Sequence, residues 1–168
     1  MINEQGLIQA LSQIRPKPWT GLVFRHMFAD FPPERENRSG ARWNPPETPA
    51  IYTSLGREVA LAEAEYYIKI QPLRPSAQRR LYTVSVRLSS VLDFSEWELL
   101  RKFGVEKDSF APADYTSCQK VGGAVEWLGH DGLLIPSARA DGTNLVIFPN
   151  QRKPDHRFEV LRSEEITT

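Results

Sequence analysis

Three residues of contrasting chemistry stand close together in the chain: Arg42, Tyr52 ten positions later and Glu63 eleven positions after that. An arginine can clamp a phosphate with a fork of N–H donors, a tyrosine offers a flat face or a hydroxyl, and a glutamate can stabilise developing positive charge. Together these residue types suit a phosphate-bearing nucleotide whose bond breaks with positive charge on a sugar carbon.

Each of these residues also has an ordinary structural interpretation. Glu63 could be a solvated carboxylate on a helix surface, Arg42 could bind carbonyl groups in a loop, and Tyr52 could pack on a sheet. Glu65, two positions after Glu63, would point away from it on a helix, so we interpret Glu65 as a surface residue.

Further segments follow in a fixed order along the chain. They are Phe24-Arg25, Arg42-Trp43-Asn44-Pro45, Pro136-Ser137-Ala138-Arg139 and Asn144-Leu145-Val146-Ile147. With Tyr52 and Glu63 between them, this ordered set resembles the RES domain, the toxin half of Xre–RES toxin–antitoxin pairs, over roughly residues 20–150. One departure is visible, since Glu47 stands where that family often has glycine.

The resemblance implies a fold and a reaction. The implied fold is α+β (mixed α/β), a single domain over residues 1–168 similar to ADP-ribosyltransferases, with a split, mostly antiparallel sheet and helices around a cleft. NAD+ would be a substrate and not a cofactor, because no phosphate-binding Gly-rich motif follows any predicted strand. The bond between nicotinamide and ribose would break, and loss of NAD+ would arrest growth.

The resemblance also implies roles for single residues. The implied catalytic residues are Arg42, Tyr52, Glu63 and Ser137, and the implied substrate-binding residues are Arg25, Arg42, Tyr52 and Asn144. Arg42, aided by Arg25, would bind the pyrophosphate, and Tyr52 would face the nicotinamide ribose. Glu63 would stabilise the oxocarbenium-like sugar, with Ser137 as its orienting partner.

Several acceptors and partners stay open at this point. ADP-ribose could pass to phosphate (a NAD+ phosphorylase), to water (a glycohydrolase) or to a protein target such as phosphoribosyl pyrophosphate synthetase (a mono-ADP-ribosyltransferase). A non-catalytic antitoxin-binding module is a further alternative. The expected partner is an Xre-type antitoxin with a DNA-binding helix-turn-helix, in a hetero-oligomer that covers the cleft.

The composition of the chain argues against several classes of protein. Lys and Arg together number 21, as do Asp and Glu, so the net charge is zero and direct nucleic-acid binding is not expected. The single Cys118 excludes an internal disulfide, and the first residues carry no signal-peptide pattern, so we expect a cytoplasmic protein that does not span a membrane. His26, His130 and His156 lack metal-ligand spacing, and no metal site is predicted.

Hydrophobic periodicity and turn residues predict the elements that must position these side chains. Helices are expected at 4–14, 57–70, 95–104 and 113–130, and strands at 22–28, 51–54, 81–88 with an extension at 91–94, 132–135, 145–148 and 157–161. The first helix is interpreted as a surface lid, and Ser95 with Glu98 as a capping box. Residues 31–49 form a long loop that carries Arg42.

Overall fold

The computed structural model describes residues 4–28, 30–70, 78–107 and 114–166. Its helices are α1 (Glu4–Ser12), α2 (Arg57–Ile70), α3 (Trp97–Arg101) and α4 (Thr116–Trp127), with a short 3-10 turn at Pro149–Gln151. Its strands are β1 (Lys17–Phe28), β2 (Ile51–Ser54), β3 (Arg79–Asp93), β4 (Gly132–Pro136), β5 (Thr143–Ile147) and β6 (Arg157–Ile166). The predicted mixture of helices and strands in one α+β domain is confirmed.

The described strands belong to one sheet in the order β1-β2-β5-β4-β3-β6, and β1 also pairs with β3. This extra pairing closes the first five strands into a barrel and leaves β6 attached to the outer side of β3. The pairings are antiparallel except for the short contact of β4 with β3. The expected division of the sheet into two parts is not confirmed, because β3 is long enough to pair with strands on both sides and joins them into one.

Two apolar clusters fill the molecule. One lies inside the barrel and takes side chains from each of its strands, among them Val23, Ile51 and Val84. The other lies between the barrel and the helices α1, α3 and α4. Strand β4 serves both clusters, because Leu133 faces the helices and Leu134 faces the barrel interior. A strand buried on both faces reads as a continuous apolar run, as this one does.

Three local predictions differ from the structure. Helix α1 is not a surface lid, since Leu7 and Leu11 are buried in the cluster shared with α4. The capping box is wrong, because the Ser95 hydroxyl donates to Asp93 Oδ1 over 2.6 Å and so satisfies a turn instead of the helix end. Strand β1 begins earlier than expected, at Lys17, with an irregular register around Pro18, which has no N–H for the ladder.

Candidate active site

A cleft of about 470 Å³ opens between α2, strand β1 and the loop of residues 31–49. Four of the predicted site residues line it: Arg25, Tyr52, Glu63 and Asn144. Ser137 and Arg42 are buried behind its walls, while Gly40 and Ala41, next to Arg42, reach the cleft itself. The fold therefore brings the six predicted residues to one side of the barrel.

The Glu63 carboxylate is held by two polar side chains from distant parts of the chain. The Ser137 hydroxyl donates to Glu63 Oε1 over 2.6 Å, and Asn144 Nδ2 donates to the same oxygen over 3.3 Å. Glu63 lies in the middle of α2, whereas Ser137 and Asn144 lie at the adjacent ends of β4 and β5. The carboxylate is half-buried, and it extends from a regular helix to the adjacent ends of β4 and β5.

Further hydrogen bonds fix the direction of both donors. The backbone N–H groups of Arg139 and Ala140 donate to Ser137 Oγ over 3.1 and 3.2 Å, so the hydroxyl proton is left to be donated to Glu63. The Ser54 hydroxyl donates to Asn144 Oδ1 over 2.7 Å, which turns the amide nitrogen towards Glu63. Each partner of the carboxylate is thus oriented by a second contact.

Tyr52 lines the cleft, but its hydroxyl is bound within the protein. The hydroxyl donates to Asn44 Oδ1 over 2.5 Å and accepts the backbone N–H of Trp43 over 2.9 Å. Burial raises the pKa of Tyr52 far above its usual range, so the phenol stays protonated. The Tyr52 hydroxyl therefore fixes the loop, and only the ring is left to contact a ligand.

Asn44 is the centre of the loop that carries Arg42. It is fully buried, and its Nδ2 donates to the backbone oxygen of Thr48 over 2.8 Å and approaches both oxygens of Asn37 at 3.2–3.3 Å. Asn44 is not among the site residues predicted from the sequence, and these contacts were not expected. An Arg-Trp-Asn run followed by a tyrosine in the next strand is the signal that could have indicated them.

Glu47 lies on the same loop in the left-handed region, with φ of 76°, and its N–H donates to the Arg38 carbonyl over 3.0 Å. Glycine adopts this conformation without strain and other residues do so at a cost. The loop thus has the backbone shape that a glycine would favour, although a glutamate stands there.

Helix α4 supports the loop from below. An added Cβ at Gly122 would lie only 1.7 Å from the carbonyl oxygen of Trp43, so the loop backbone packs directly on the helix. One turn earlier, Gln119 Nε2 donates to the Ala41 carbonyl over 2.9 Å. Gly122 is therefore the position at which the loop backbone docks on the helix, and Gly123 faces the Pro45 side chain.

Arg42 is buried against this helix. Its guanidinium carbon lies 4.8 Å from the centre of the Tyr115 ring, and Tyr115 in turn lines the cleft. Burial raises the pKa of the Cys118 thiol to about 11, although the hydrogen-bonded Arg42 opposes this effect. Tyr115 was not among the residues predicted from the sequence, and no spacing signal marks it.

Arg25 joins β1 to its neighbours through backbone carbonyls. Its two terminal nitrogens donate to the backbone oxygen of Tyr52 over 2.8 Å and to that of Arg35 over 2.5 Å, while its buried Nε has no hydrogen-bond partner among the described residues. Burial lowers the pKa of Arg25 to about 10, partly offset by Glu34, so the guanidinium is charged near neutral pH.

The far end of the cleft contains a second polar cluster. Arg79 Nε donates to His26 Nε2 over 2.8 Å, and Arg79 pairs with Glu65 over 2.9 Å. Burial and the adjacent Arg79 lower the pKa of His26 to about 4, so the imidazole is neutral and accepts this bond. Glu65 thus faces away from Glu63, as the helical spacing predicted.

Metal ligation and membrane insertion can be considered for the described ranges, 4–28, 30–70, 78–107 and 114–166. No group of three or more His, Cys, Asp or Glu side chains there is placed to hold a metal ion. No helix in these ranges is long and apolar enough to cross a membrane.

Comparisons with known proteins give consistent matches. The chain is 27% identical to the NAD(+) phosphorylase MbcT of Mycobacterium bovis and to that of Mycobacterium tuberculosis, over 98% of this chain and 92% of each relative. Its fold is similar to the crystal structure of the M. tuberculosis MbcT–MbcA toxin–antitoxin complex, with a TM-score of 0.85 and 26% identity over 99% of this chain and 94% of the other. The family model of the RES domain matches residues 15–167, and the chain therefore belongs to the RES domain family.

Proposed function

We propose that this protein is the toxin of a toxin–antitoxin pair and that it consumes NAD+ by phosphorolysis of the bond between nicotinamide and ribose. The observation that carries the proposal is the Glu63 carboxylate, oriented by Ser137 and Asn144 at the wall of a cleft large enough for a nucleotide. The name of the relative MbcT, a NAD(+) phosphorylase, supports phosphate as the acceptor over water or a protein.

The chemistry follows from the leaving group. Nicotinamide departs as a neutral molecule from a cationic pyridinium, so no general acid is needed. Positive charge develops on the anomeric carbon as the bond lengthens, and a fixed carboxylate stabilises this transition state more than the ground state. Glu63 has this role, and the hydrogen bond from Ser137 keeps it in place as the charge forms.

The remaining predicted residues bind the substrate. Arg42, aided by Arg25, attracts the pyrophosphate through its positive charge from behind the cleft wall, where Gly40 and Ala41 reach the cleft. The ring of Tyr52 stacks on the nicotinamide side, which agrees with the internal use of its hydroxyl. Asn144 contacts the ribose beside Glu63. In this arrangement the cleft corresponds to that of ADP-ribosyltransferases.

The partner is an antitoxin that blocks the cleft. The similarity to one chain of a toxin–antitoxin complex supports such a partner, and we propose that it is of the Xre type and brings its own DNA-binding helices. A net charge of zero on this chain is consistent with leaving DNA to the partner. The pair would act in the cytoplasm, where NAD+ is available.

The decisive experiment uses Glu63→Gln, which keeps the size and removes the charge. Purified protein is incubated with NAD+, with and without inorganic phosphate, and nicotinamide, ADP-ribose and its phosphorylated form are separated by chromatography. The wild type releases nicotinamide only with phosphate, and Glu63→Gln lowers kcat by about 10²- to 10³-fold, as for loss of a charge-stabilising group. Glu58→Gln, an exposed carboxylate on the same helix, leaves the rate unchanged.

Other products would indicate a different reaction. Release without phosphate would mean a glycohydrolase, and label from NAD+ on a protein band would mean mono-ADP-ribosylation. Equal rates for Glu63→Gln and wild type would refute the role of Glu63. No turnover of NAD+ under any condition, together with binding of an antitoxin, would favour the non-catalytic module.

A further inference from the structure

The proposed reaction requires two anions in one cleft, and this inference rests on that reaction. Inorganic phosphate carries about two negative charges near neutral pH, and it must approach a sugar carbon that the Glu63 carboxylate already faces. Like charges at a few ångströms repel strongly where water is partly excluded. A cation beside Glu63 that does not hold the NAD+ pyrophosphate would offset this repulsion.

Arg139 is the cation that we consider for this role. It follows Ser137 by two residues, and its backbone N–H donates to the same hydroxyl that donates to Glu63. Its guanidinium carbon lies 3.2 Å from the centre of the Tyr66 ring. Because Tyr66 is three residues after Glu63 on α2, the two side chains are neighbours on the helix surface, and Arg139 thus stacks on a neighbour of the carboxylate.

No carboxylate among the described residues forms a salt bridge with Arg139. Arg79, at the far end of the cleft, pairs instead with Glu65. A guanidinium stacked on a ring keeps its N–H donors at its edge, where an oxyanion can accept them.

Tyr67 provides a second donor at the same place. Its ring meets that of Tyr66 edge to face at 5.8 Å and lines the cleft, where it is 43% exposed. Its hydroxyl lies within electrostatic reach of Glu63, Arg42 and Arg139. Burial raises the pKa of Tyr67 to about 12, so the hydroxyl carries its proton at neutral pH and can donate it to an anion.

We propose that the Arg139 guanidinium and the Tyr67 hydroxyl form the binding site for the acceptor, inorganic phosphate, beside Glu63. From there, an oxygen of HPO₄²⁻ forms the new bond to the anomeric carbon as the bond to the nicotinamide nitrogen breaks. The electron pair of the broken bond goes to the pyridinium ring, which leaves as neutral nicotinamide, and the phosphate keeps its proton. The products are ADP-ribose phosphorylated on the anomeric carbon and nicotinamide.

The test measures the KM for phosphate and the KM for NAD+ separately in each variant. With purified Arg139→Ala, we expect the KM for phosphate to rise by about tenfold to a hundredfold, as for loss of a charge-assisted hydrogen bond, while the KM for NAD+ changes by less than about threefold. The share of plain ADP-ribose among the products rises, because water replaces phosphate. Arg139→Lys retains the charge and keeps the KM for phosphate between those of wild type and Arg139→Ala.

Controls separate this site from folding and from the reaction itself. Arg87→Ala, an exposed arginine on β3, leaves both constants unchanged, and the thermal midpoint of each variant shows that it is folded. A rise in the KM for NAD+ with an unchanged KM for phosphate in Arg139→Ala and Arg139→Lys would overturn the inference and assign Arg139 to the pyrophosphate. If the wild type needs no phosphate at all, phosphorolysis and the inference both fail.

Discussion

The two sides of the cleft are built in different ways. Glu63 projects from a regular helix and meets side chains at the ends of two paired strands, so its position follows from elements that hydrogen bond within themselves. Arg42 lies on an irregular segment whose shape depends on the side chains of Asn44 and Tyr52 and on the close approach of α4. On the Glu63 side, loss of one hydrogen-bond partner should leave the rest of the structure in place. On the Arg42 side, loss of one contact should disrupt the whole loop.

The largest expected effect lies on the Arg42 side, in Gly122→Ala. The new methyl group would overlap the carbonyl oxygen of Trp43, and backbone atoms cannot turn away as a flexible side chain can. We expect a loss of about 3 kcal/mol in the free energy of unfolding, despite the better helix propensity of alanine, and a fall in NAD+ turnover. Urea denaturation and the chromatographic assay measure the two effects.

Gly123→Ala is the matched control for this change. Its added Cβ would come no closer than 3.3 Å, to the Pro45 side chain, which can give way. We expect this variant to be within about 1 kcal/mol of wild type. Similar losses for both glycine variants would mean that helix packing in general, and not the docked loop, determines the effect.

A smaller effect is expected on the Glu63 side, in Ser137→Ala. The carboxylate loses one donor but keeps Asn144, and the N–H groups of Arg139 and Ala140 lose their acceptor. We expect kcat to fall about tenfold while the free energy of unfolding falls by only about 1 kcal/mol. A loss of stability as large as that of Gly122→Ala would show that the two sides do not differ in tolerance.

The smallest change in stability is expected for Glu47→Gly, which tests the backbone conformation of the Arg42 loop itself. Glycine adopts the left-handed conformation of this position without strain, but it also adds freedom to the unfolded chain. The net result is a gain below about 1 kcal/mol in the free energy of unfolding, with turnover unchanged. Thermal and urea unfolding would contradict this expectation if the variant were less stable than wild type.

The sequence predicted the regular elements better than the contacts between them. The bounds of α2 and β2 agree with the predicted 57–70 and 51–54, because periodicity and flanking turn residues are local signals. The pairing of β1 with β3 closes the barrel through residues distant in sequence, and no local pattern indicates it. The same reason explains why α1 was misplaced as a lid.

In the candidate site, too, some features could be predicted from the sequence and others could not. The family resemblance pointed to Glu63, Ser137 and Asn144, and the structure places them within hydrogen-bonding distance. The catalytic and binding roles of these residues stay predictions. The buried use of the Tyr52 hydroxyl and the docking of the loop on Gly122 depend on tertiary contacts, which only the structure reveals.

The separation of Glu63 from its partners along the chain determines when the protein becomes able to act. Ser137 and Asn144 follow Glu63 by 74 and 81 residues, so on a translating ribosome the carboxylate emerges long before the groups that orient it. Contacts that close such long stretches of chain form late in folding. The nascent chain consequently lacks an oriented carboxylate until most of it has been synthesised, so the proposed reaction would start only when synthesis is almost complete.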